Sequence, residues 1–156
     1  MKIKILFGLW LGCMLMALNA CDLFEDSDPV SASGGLRFYT DVSKYQEALD
    51  RQGSMSYSDQ FAVESVVRED DLLKITVMYG GGCNEHTFDL IWDGTLLKSY
   101  PAQARMFLKH EDHSDKCDAL VRKTLVFNVR DKMGMPGKDV RITIINASNK
   151  QSHNSN

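Results

Sequence analysis

The chain has 156 residues, of which 25% are charged and 44% are hydrophobic, and its formal net charge at neutral pH is −3. This acidic balance argues against nucleic acid as a partner, because binding to phosphate backbones depends on clustered lysine and arginine. The length fits one domain with a modest hydrophobic core.

The first twenty residues have the three parts of an export signal. Two lysines open the chain, residues 5–18 form an almost wholly apolar run, and a short exit of small residues precedes Cys21. The apolar run has 14 residues, fewer than the roughly 18 to 20 that a permanent transmembrane helix needs. We expect residues 1–20 to be removed as a signal peptide, which leaves 16 basic against 21 acidic residues and a formal charge of −5.

The exit sequence Leu18-Asn19-Ala20-Cys21 resembles the lipobox of bacterial lipoproteins, in which the cysteine becomes the lipidated first residue. The resemblance implies that membrane lipid on acylated Cys21 holds the protein in the bacterial cell envelope. The outer membrane is the expected location, at its periplasmic or its surface face. Cleavage before Cys13 is an alternative, but it leaves a very short apolar run. An ordinary secretory signal beside a free cysteine is the other alternative.

Residues 21–35 contain the expected lipidated cysteine followed by an acidic and then Ser- and Gly-rich stretch. The stretch has no periodicity, which predicts a flexible tether in front of a domain over residues 36–147. Acidic residues behind a lipidated cysteine resemble the signals that direct lipoproteins of the Bacteroidota to the cell surface. Surface display is therefore a hypothesis for this chain.

A short helix is predicted at the start of the domain. Ser43 and Gln46 have the spacing of a capping box, and Gly53 has the position of a C′ stop. Three apolar side chains share one face of this helix: Tyr45, Ala48 and Leu49.

After the helix the apolar residues alternate with polar ones, which indicates strands with one buried face. The clearest runs are 61–63, 73–79, 88–92, 125–129 and 140–144, and weaker strands are predicted at 96–100 and 105–109. A hairpin turn at Asp93-Gly94, a looser turn at 133–137 and a disordered polar tail at 148–156 complete the pattern. We predict an all-β fold, an antiparallel β-sandwich of immunoglobulin-like type with one short N-terminal helix, and a small barrel as the alternative.

If Cys13 leaves with the signal and Cys21 is acylated, Cys83 and Cys117 remain as an even pair. An even pair in an exported domain predicts a disulfide.

The densest local motif runs from Gly80 to Trp92 and contains Gly-Gly-Cys-x-x-His-x-Phe, and a second stretch, His110-Glu-Asp-His-Ser-Asp-Lys-Cys117, follows it. This pair of stretches resembles a group of small, uncharacterised lipoproteins from the Bacteroidota, over residues 72–146. The resemblance supports the disulfide and implies no activity.

A bond between the two cysteines would bring His86 towards the loop that contains His110 and His113. Imidazoles with Glu111 or Asp115 are ligands that suit zinc or copper, so these residues form a candidate metal site. The competing interpretation is structural, because His110 shares the strand parity of neighbouring apolar residues and the following loop has the composition of a solvated turn. The three consecutive glycines before Cys83 are then a bulge or turn, since no phosphate-loop lysine follows.

No enzyme motif is present: the sequence has no Gly-x-Ser-x-Gly elbow, no His-Glu-x-x-His helix and no cofactor fingerprint. We therefore expect a non-catalytic binding or structural role, with an envelope protein or a polysaccharide as a candidate partner. Four aromatic residues are predicted to be core: Tyr79, Phe88, Trp92 and Phe127. Three others are expected to be free for surface contacts: Tyr57, Tyr100 and Phe107.

Overall fold

The computed structural model describes residues 30–32, 35–134 and 140–155. The predicted signal peptide, Cys21 and the tether up to residue 29 lie outside this range, as does most of the predicted turn at 133–137. The elements in chain order are β1 (Val30–Ala32), β2 (Leu36–Thr40), α1 (Val42–Arg51), β3 (Ala62–Glu69), β4 (Leu72–Gly81), β5 (Thr87–Trp92), β6 (Ala102–Glu111), β7 (Ala119–Asn128), α2 (Val129–Met133), β8 (Val140–Asn146) and β9 (Ser152–Asn154). Neither of these helices has the length and apolar character that crossing a membrane requires.

The described strands form two sheets, so the predicted all-β class is confirmed. One sheet has the order β1-β2-β5-β6-β8-β9 and the other the order β3-β4-β7. The prediction of purely antiparallel sheets was wrong, because β2 pairs with β5, and β6 with β8, in parallel. Between each parallel pair the chain crosses over through the smaller sheet, as parallel neighbours require. This order also differs from the four-and-three antiparallel strands of an immunoglobulin domain.

The main core lies between the two sheets and follows the alternation seen in the sequence. On β4 every second residue is buried from Leu73 to Tyr79, and β7 contributes Leu125 and Phe127 from its matching face. The larger sheet supplies the facing layer: Leu36, Phe38, Phe88, Leu90, Trp92, Met106, Leu108, Ile142 and Ile144. The four aromatic residues predicted to be core are all buried.

A second, smaller core lies on the outer face of the larger sheet, where α1 covers β5 and β6. Phe107 and Ile91 point to this side and pack with Ala48, Tyr57 and Ala147. The expectation that Tyr57 and Phe107 are surface contacts was therefore wrong. Because both faces of β6 are buried, Met106, Phe107 and Leu108 form an unbroken apolar run in which alternation is lost.

Helix α1 begins one residue after Asp41, and the carboxylate of Asp41 accepts a hydrogen bond from the Lys44 amide at 2.9 Å. The predicted cap at Ser43 was wrong, since Ser43 already lies inside the helix. Gly53 follows the helix with φ +82°, as expected for a C′ residue. Leu49 stays 45% exposed, so the buried face is narrower than predicted.

Three other boundaries differ from the predictions. The tail is ordered in part, because Ser152–Asn154 pairs with Thr143–Ile145 as β9. Val30–Ala32, placed in the tether, pairs with Leu36–Phe38 as β1. The segment 96–100 is not a strand; β5 and β6 are joined by residues 93–101, a connection longer than the predicted two-residue turn.

The two ends of the sandwich carry different loops. We call the end with residues 82–86 and 112–118 the disulfide end. The opposite end carries residues 93–101 and the start of α1, whose Asp41 amide donates to the Trp92 carbonyl at 2.8 Å, and we call it the loop end.

Candidate functional site

The disulfide predicted from the even pair of cysteines is present. Cys83 follows β4 and Cys117 precedes β7, two neighbouring strands whose last paired residues at this end are Gly81 and Ala119. The Cα atoms of the two cysteines lie 5.9 Å apart, within the usual range for a disulfide. The bond therefore joins two loops that the sheet already holds side by side.

The carboxylate of Asp115 organises the loops around this bond. Its Oδ2 accepts hydrogen bonds from the backbone amides of Gly82, Cys83 and Asn84 at 2.8, 2.9 and 2.9 Å, and its Oδ1 accepts one from the Cys117 amide at 2.9 Å. The Asn84 and Cys117 amides, which stabilise the ionised form most, hold the pKa of Asp115 well below its usual range. Asp115 thus acts as an internal anion in a nest of backbone N–H groups.

This nest explains the consecutive glycines in the motif. Gly81 and Gly82 have φ values of +138° and +109°, which favour glycine. A Cβ atom on Gly81 would lie 2.5 Å from Nε2 of His86 and 2.9 Å from Oδ2 of Asp115. At Gly80, in contrast, an added Cβ atom would meet no atom within 4 Å. Gly81 is therefore the glycine at which a side chain would clash with His86 and Asp115.

His86 and His110 extend the Asp115 cluster into the core. His86 Nε2 lies 3.1 Å from Asp115 Oδ2, and His86 Nδ1 lies 2.8 Å from His110 Nε2. Because a carboxylate only accepts, His86 donates from Nε2; in its neutral form Nδ1 then accepts from His110 Nε2–H. His110 Nδ1 is buried without a partner among the described residues. Burial, together with the neighbouring His86, lowers the pKa of His110 to about 4, so this ring is neutral near neutral pH.

Aromatic rings enclose both imidazoles. Tyr79 stacks on His86 with centroids 4.5 Å apart, and Phe88 stacks on His110 at 4.6 Å, while Phe61 meets His110 edge-on. The exposed fractions of His86 and His110 are 2% and 1%. Solvent and solutes therefore have no direct access to either ring.

The loop after α1 forms hydrogen bonds with the backbone at the end of β6. The Ser58 hydroxyl accepts a hydrogen bond from the His110 amide at 3.1 Å, and the Asp59 amide donates to the His110 carbonyl at 3.0 Å. Asp59 Oδ2 in turn accepts from the Asp112 amide at 2.8 Å. These bonds fix the end of β6 from which the Asp115 loop departs.

The structure does not assemble the candidate metal site. His86 and His110 come together, but both nitrogens of His86 are engaged in hydrogen bonds. His113 is exposed and lies against the hydroxyl of Thr87, with Nε2 3.1 Å from Oγ1. Glu111 pairs with Lys109 and Arg37 instead. In the described part of the chain, the ligand atoms that lie close enough to hold an ion are those of Cys83, Asp115 and Cys117, and the two sulfurs are already bonded to each other.

The cluster therefore has a structural role, since its hydrogen bonds join the loops of the disulfide end to the end of β6. A chain of one carboxylate and two imidazoles is a common device for moving protons, but such a function needs a reacting atom within reach. Here Asp115 and His86 side chains are each 1% exposed. The two buried histidines were named from the sequence as candidate site residues, whereas the central role of Asp115 was not predicted. The available signal was its position two residues before Cys117 and opposite a run of glycines.

Exposed apolar side chains lie at both ends of the molecule: Leu120 at the disulfide end is 73% exposed, and two others lie on the connection at the loop end. Tyr100 is fully exposed, and Leu97 is 43% exposed. A shallow recess of about 120 Å³ beside them is lined by Tyr45, Asp93, Thr95, Leu97 and Arg105.

No protein-family model matches this chain, and no curated protein matches it either. Among solved structures, a putative toxin-related protein from Parabacteroides distasonis is similar over 65% of this chain and 54% of its own, with 17% identity and a TM-score of 0.46. A protein of unknown function from Bacteroides vulgatus is similar over 65% and 50%, with 11% identity and a TM-score of 0.45. A NigD-like immunity protein from Bacteroides caccae is similar over 80% and 59%, with 19% identity and a TM-score of 0.47. The chain spans between 50% and 59% of the length of these proteins, and likenesses at this level carry no argument about function.

Proposed function

We propose that this chain is a lipoprotein of the bacterial cell envelope, held by lipid on Cys21, whose β-sandwich is a non-catalytic binding or structural module. The observation that carries the second half of the proposal is that the side chains of Asp115, His86 and His110 are buried in one hydrogen-bonded cluster. These side chains have functional groups that could serve in catalysis or metal binding. They form hydrogen bonds with one another instead, and they are buried from solvent. A partner would therefore contact the exposed loops of the sandwich.

The envelope location is supported by two independent features of the chain. The sequence Leu18-Asn19-Ala20-Cys21 has the form of a lipobox behind an apolar export signal. The Cys83–Cys117 disulfide suits an oxidising compartment outside the cytoplasm. The outer membrane, at its periplasmic or surface face, is the expected location, and an envelope protein or a polysaccharide is the expected partner besides membrane lipid.

Acylation is tested by labelling cells that express the full chain with an alkyne fatty acid. The label should appear on the wild-type protein and on Cys13→Ala, and should be lost in Cys21→Ala. The wild-type protein should sediment with membranes after cell lysis. Labelled Cys21→Ala protein, or loss of label in Cys13→Ala, would refute the assignment. Protease treatment of intact cells then separates a surface face from a periplasmic one.

A zinc or copper protein that uses His86, His110 and His113 remains the alternative function. The bonded and buried state of the first two histidines argues against it. Calorimetric titration of the purified protein with zinc separates the two proposals. Micromolar binding that His86→Ala and His113→Ala both abolish would favour the metal protein.

A further inference from the structure

The loop end presents three exposed apolar side chains. Val42 at the start of α1 is 67% exposed, and Leu97 and Tyr100 lie on the connection between β5 and β6. Backbone hydrogen bonds between Leu97 and Gln103 draw this connection into a tight turn, and Tyr100 lies near its apex. The recess between Leu97 and Tyr45 places the turn beside the first half of α1. The three side chains therefore belong to one end of the molecule.

The direction of β1 indicates that the expected tether leaves the domain at this same end. Val30 lies opposite Phe38 and Ala32 opposite Leu36, in an antiparallel pair. Followed backwards towards Cys21, β1 therefore runs to the end where β2 finishes and α1 begins. Only eight residues separate Cys21 from Val30, so at roughly 3.3 to 3.6 Å per residue the lipidated cysteine stays within about 30 Å of β1.

Charge distinguishes the two ends as well. The disulfide end carries the acidic residues Glu85, Asp112 and Asp118, and its only neighbouring cation in these loops is Lys116. An anionic bilayer surface repels such an end. At the loop end the two signs are mixed more evenly. Asp93 and Lys98 share the connection between β5 and β6, and the β3–β4 turn and α2 at the same end carry Glu69, Asp70, Asp71 and Asp131 together with Arg68, Arg130 and Lys132.

We infer that the loop end rests on the bilayer that holds the lipid of Cys21, with Val42, Leu97 and Tyr100 in the interfacial region. This inference rests on the proposed function, since it takes lipidation of Cys21 as given. A tyrosine with a free hydroxyl and an apolar ring suits the headgroup boundary, where one end of the side chain is wet. The apolar contacts add a second attachment to the acyl chains. The disulfide end then faces away from the membrane and towards a partner.

Trp92 offers a native reporter for this orientation. It is the only tryptophan after residue 20, and its Nε1 donates to the Thr95 carbonyl at 3.1 Å, beside the loop end. The acylated full-length protein is reconstituted into vesicles of phosphatidylethanolamine and phosphatidylglycerol, with and without nitroxide-labelled lipid. Nitroxides quench tryptophan only at short range, so we expect quenching of Trp92 when the loop end contacts the bilayer.

The variants Tyr100→Ser and Leu97→Ser with Tyr100→Ser should lose most of this quenching while remaining bound through the acyl chains. Leu120→Ser is the matched control, because Leu120 is 73% exposed at the disulfide end and its change should leave quenching as in wild type. Circular dichroism checks that each variant is folded, and intact mass checks that each is acylated. Acylated wild type without quenching, or equal quenching in all variants, would overturn the inference alone. A protein that gains no acyl mass would overturn the proposed function together with it.

Discussion

Replacing Gly81 with alanine should destabilise the protein far more than the same change at its neighbour Gly80. At Gly81 the backbone has φ +138°, and the new methyl group would lie 2.5 Å from His86 Nε2. At Gly80 a Cβ atom would meet no atom within 4 Å. The two variants therefore add the same methyl group at adjacent positions of one strand and one sequence motif.

The size of the effect follows from two terms. A non-glycine residue in this backbone region costs about 1 to 3 kcal/mol. Moving the His86 ring away from its partners leaves a buried polar group unsatisfied, which costs about 1 to 3 kcal/mol more. Gly81→Ala should therefore lower the free energy of unfolding by about 2 to 6 kcal/mol. Gly80→Ala should change it by less than about 1 kcal/mol, because the site is open.

The assay is urea unfolding of the oxidised protein without its signal segment, followed by circular dichroism and by Trp92 fluorescence. The two probes should give coincident transitions for a single domain. Free thiols are counted beforehand to ensure that Cys83 and Cys117 are bonded in every sample. Equal stabilities for the two alanine variants would refute the close approach of Gly81 to His86, and with it the structural explanation of the glycine motif.

Three further predictions concern the same core. Replacing both Cys83 and Cys117 with serine should lower the free energy of unfolding by about 4 kcal/mol, from the entropy of closing a loop of about 35 residues; a loss below about 1 kcal/mol in urea unfolding would contradict this estimate. The pKa of His110 is lowered to about 4 in the fold, so the unfolded chain binds a proton first and stability should fall as the pH drops from about 6.5 to 4, by up to about 3 kcal/mol. In His110→Gln the free energy of unfolding should depend less on pH over this range. An unchanged pH dependence would show that His110 is not its cause. Asn146→Ala should cost about 1 to 3 kcal/mol, because its buried Nδ2 donates to the Phe61 carbonyl at 2.9 Å, whereas exposed Asn149→Ala should be nearly neutral by thermal melting.

The strands that alternate were predictable because only one of their faces is buried. On β4 the period of two runs from Leu73 to Tyr79 without a break, and the structure buries the expected side chains. On β6 the alternation fails around Phe107, since α1 covers the second face, and the sequence gives no sign of which strand a helix will cover. The polar strand β9 has no apolar face at all, so its pairing with β8 depends on hydrogen bonds, which include one from the Thr143 hydroxyl to Asn154 Oδ1 at 2.8 Å.

The parallel pairs could not be predicted from periodicity. The alternation within a strand indicates which face is buried, but it does not indicate which other strand will be its neighbour. In the candidate site, the cysteine pair followed from composition and compartment, and burial of His110 followed from its parity with Met106 and Leu108. The role of Asp115 depends on three backbone amides that approach it from a loop more than thirty residues away. Long-range contacts of this kind leave little trace in the local sequence.

The two edge strands of the larger sheet affect how readily folded molecules associate with one another. An unpaired edge strand can template strands from another molecule, and short, polar edges prevent this. Both edge strands, β1 and β9, have three residues, and β9 consists of Ser, His and Asn. Without β9, the apolar sequence of β8 around Ile142 and Ile144 would lie open at the sheet margin. The C-terminal hairpin therefore protects the folded protein from fibril-like self-association wherever its local concentration is high.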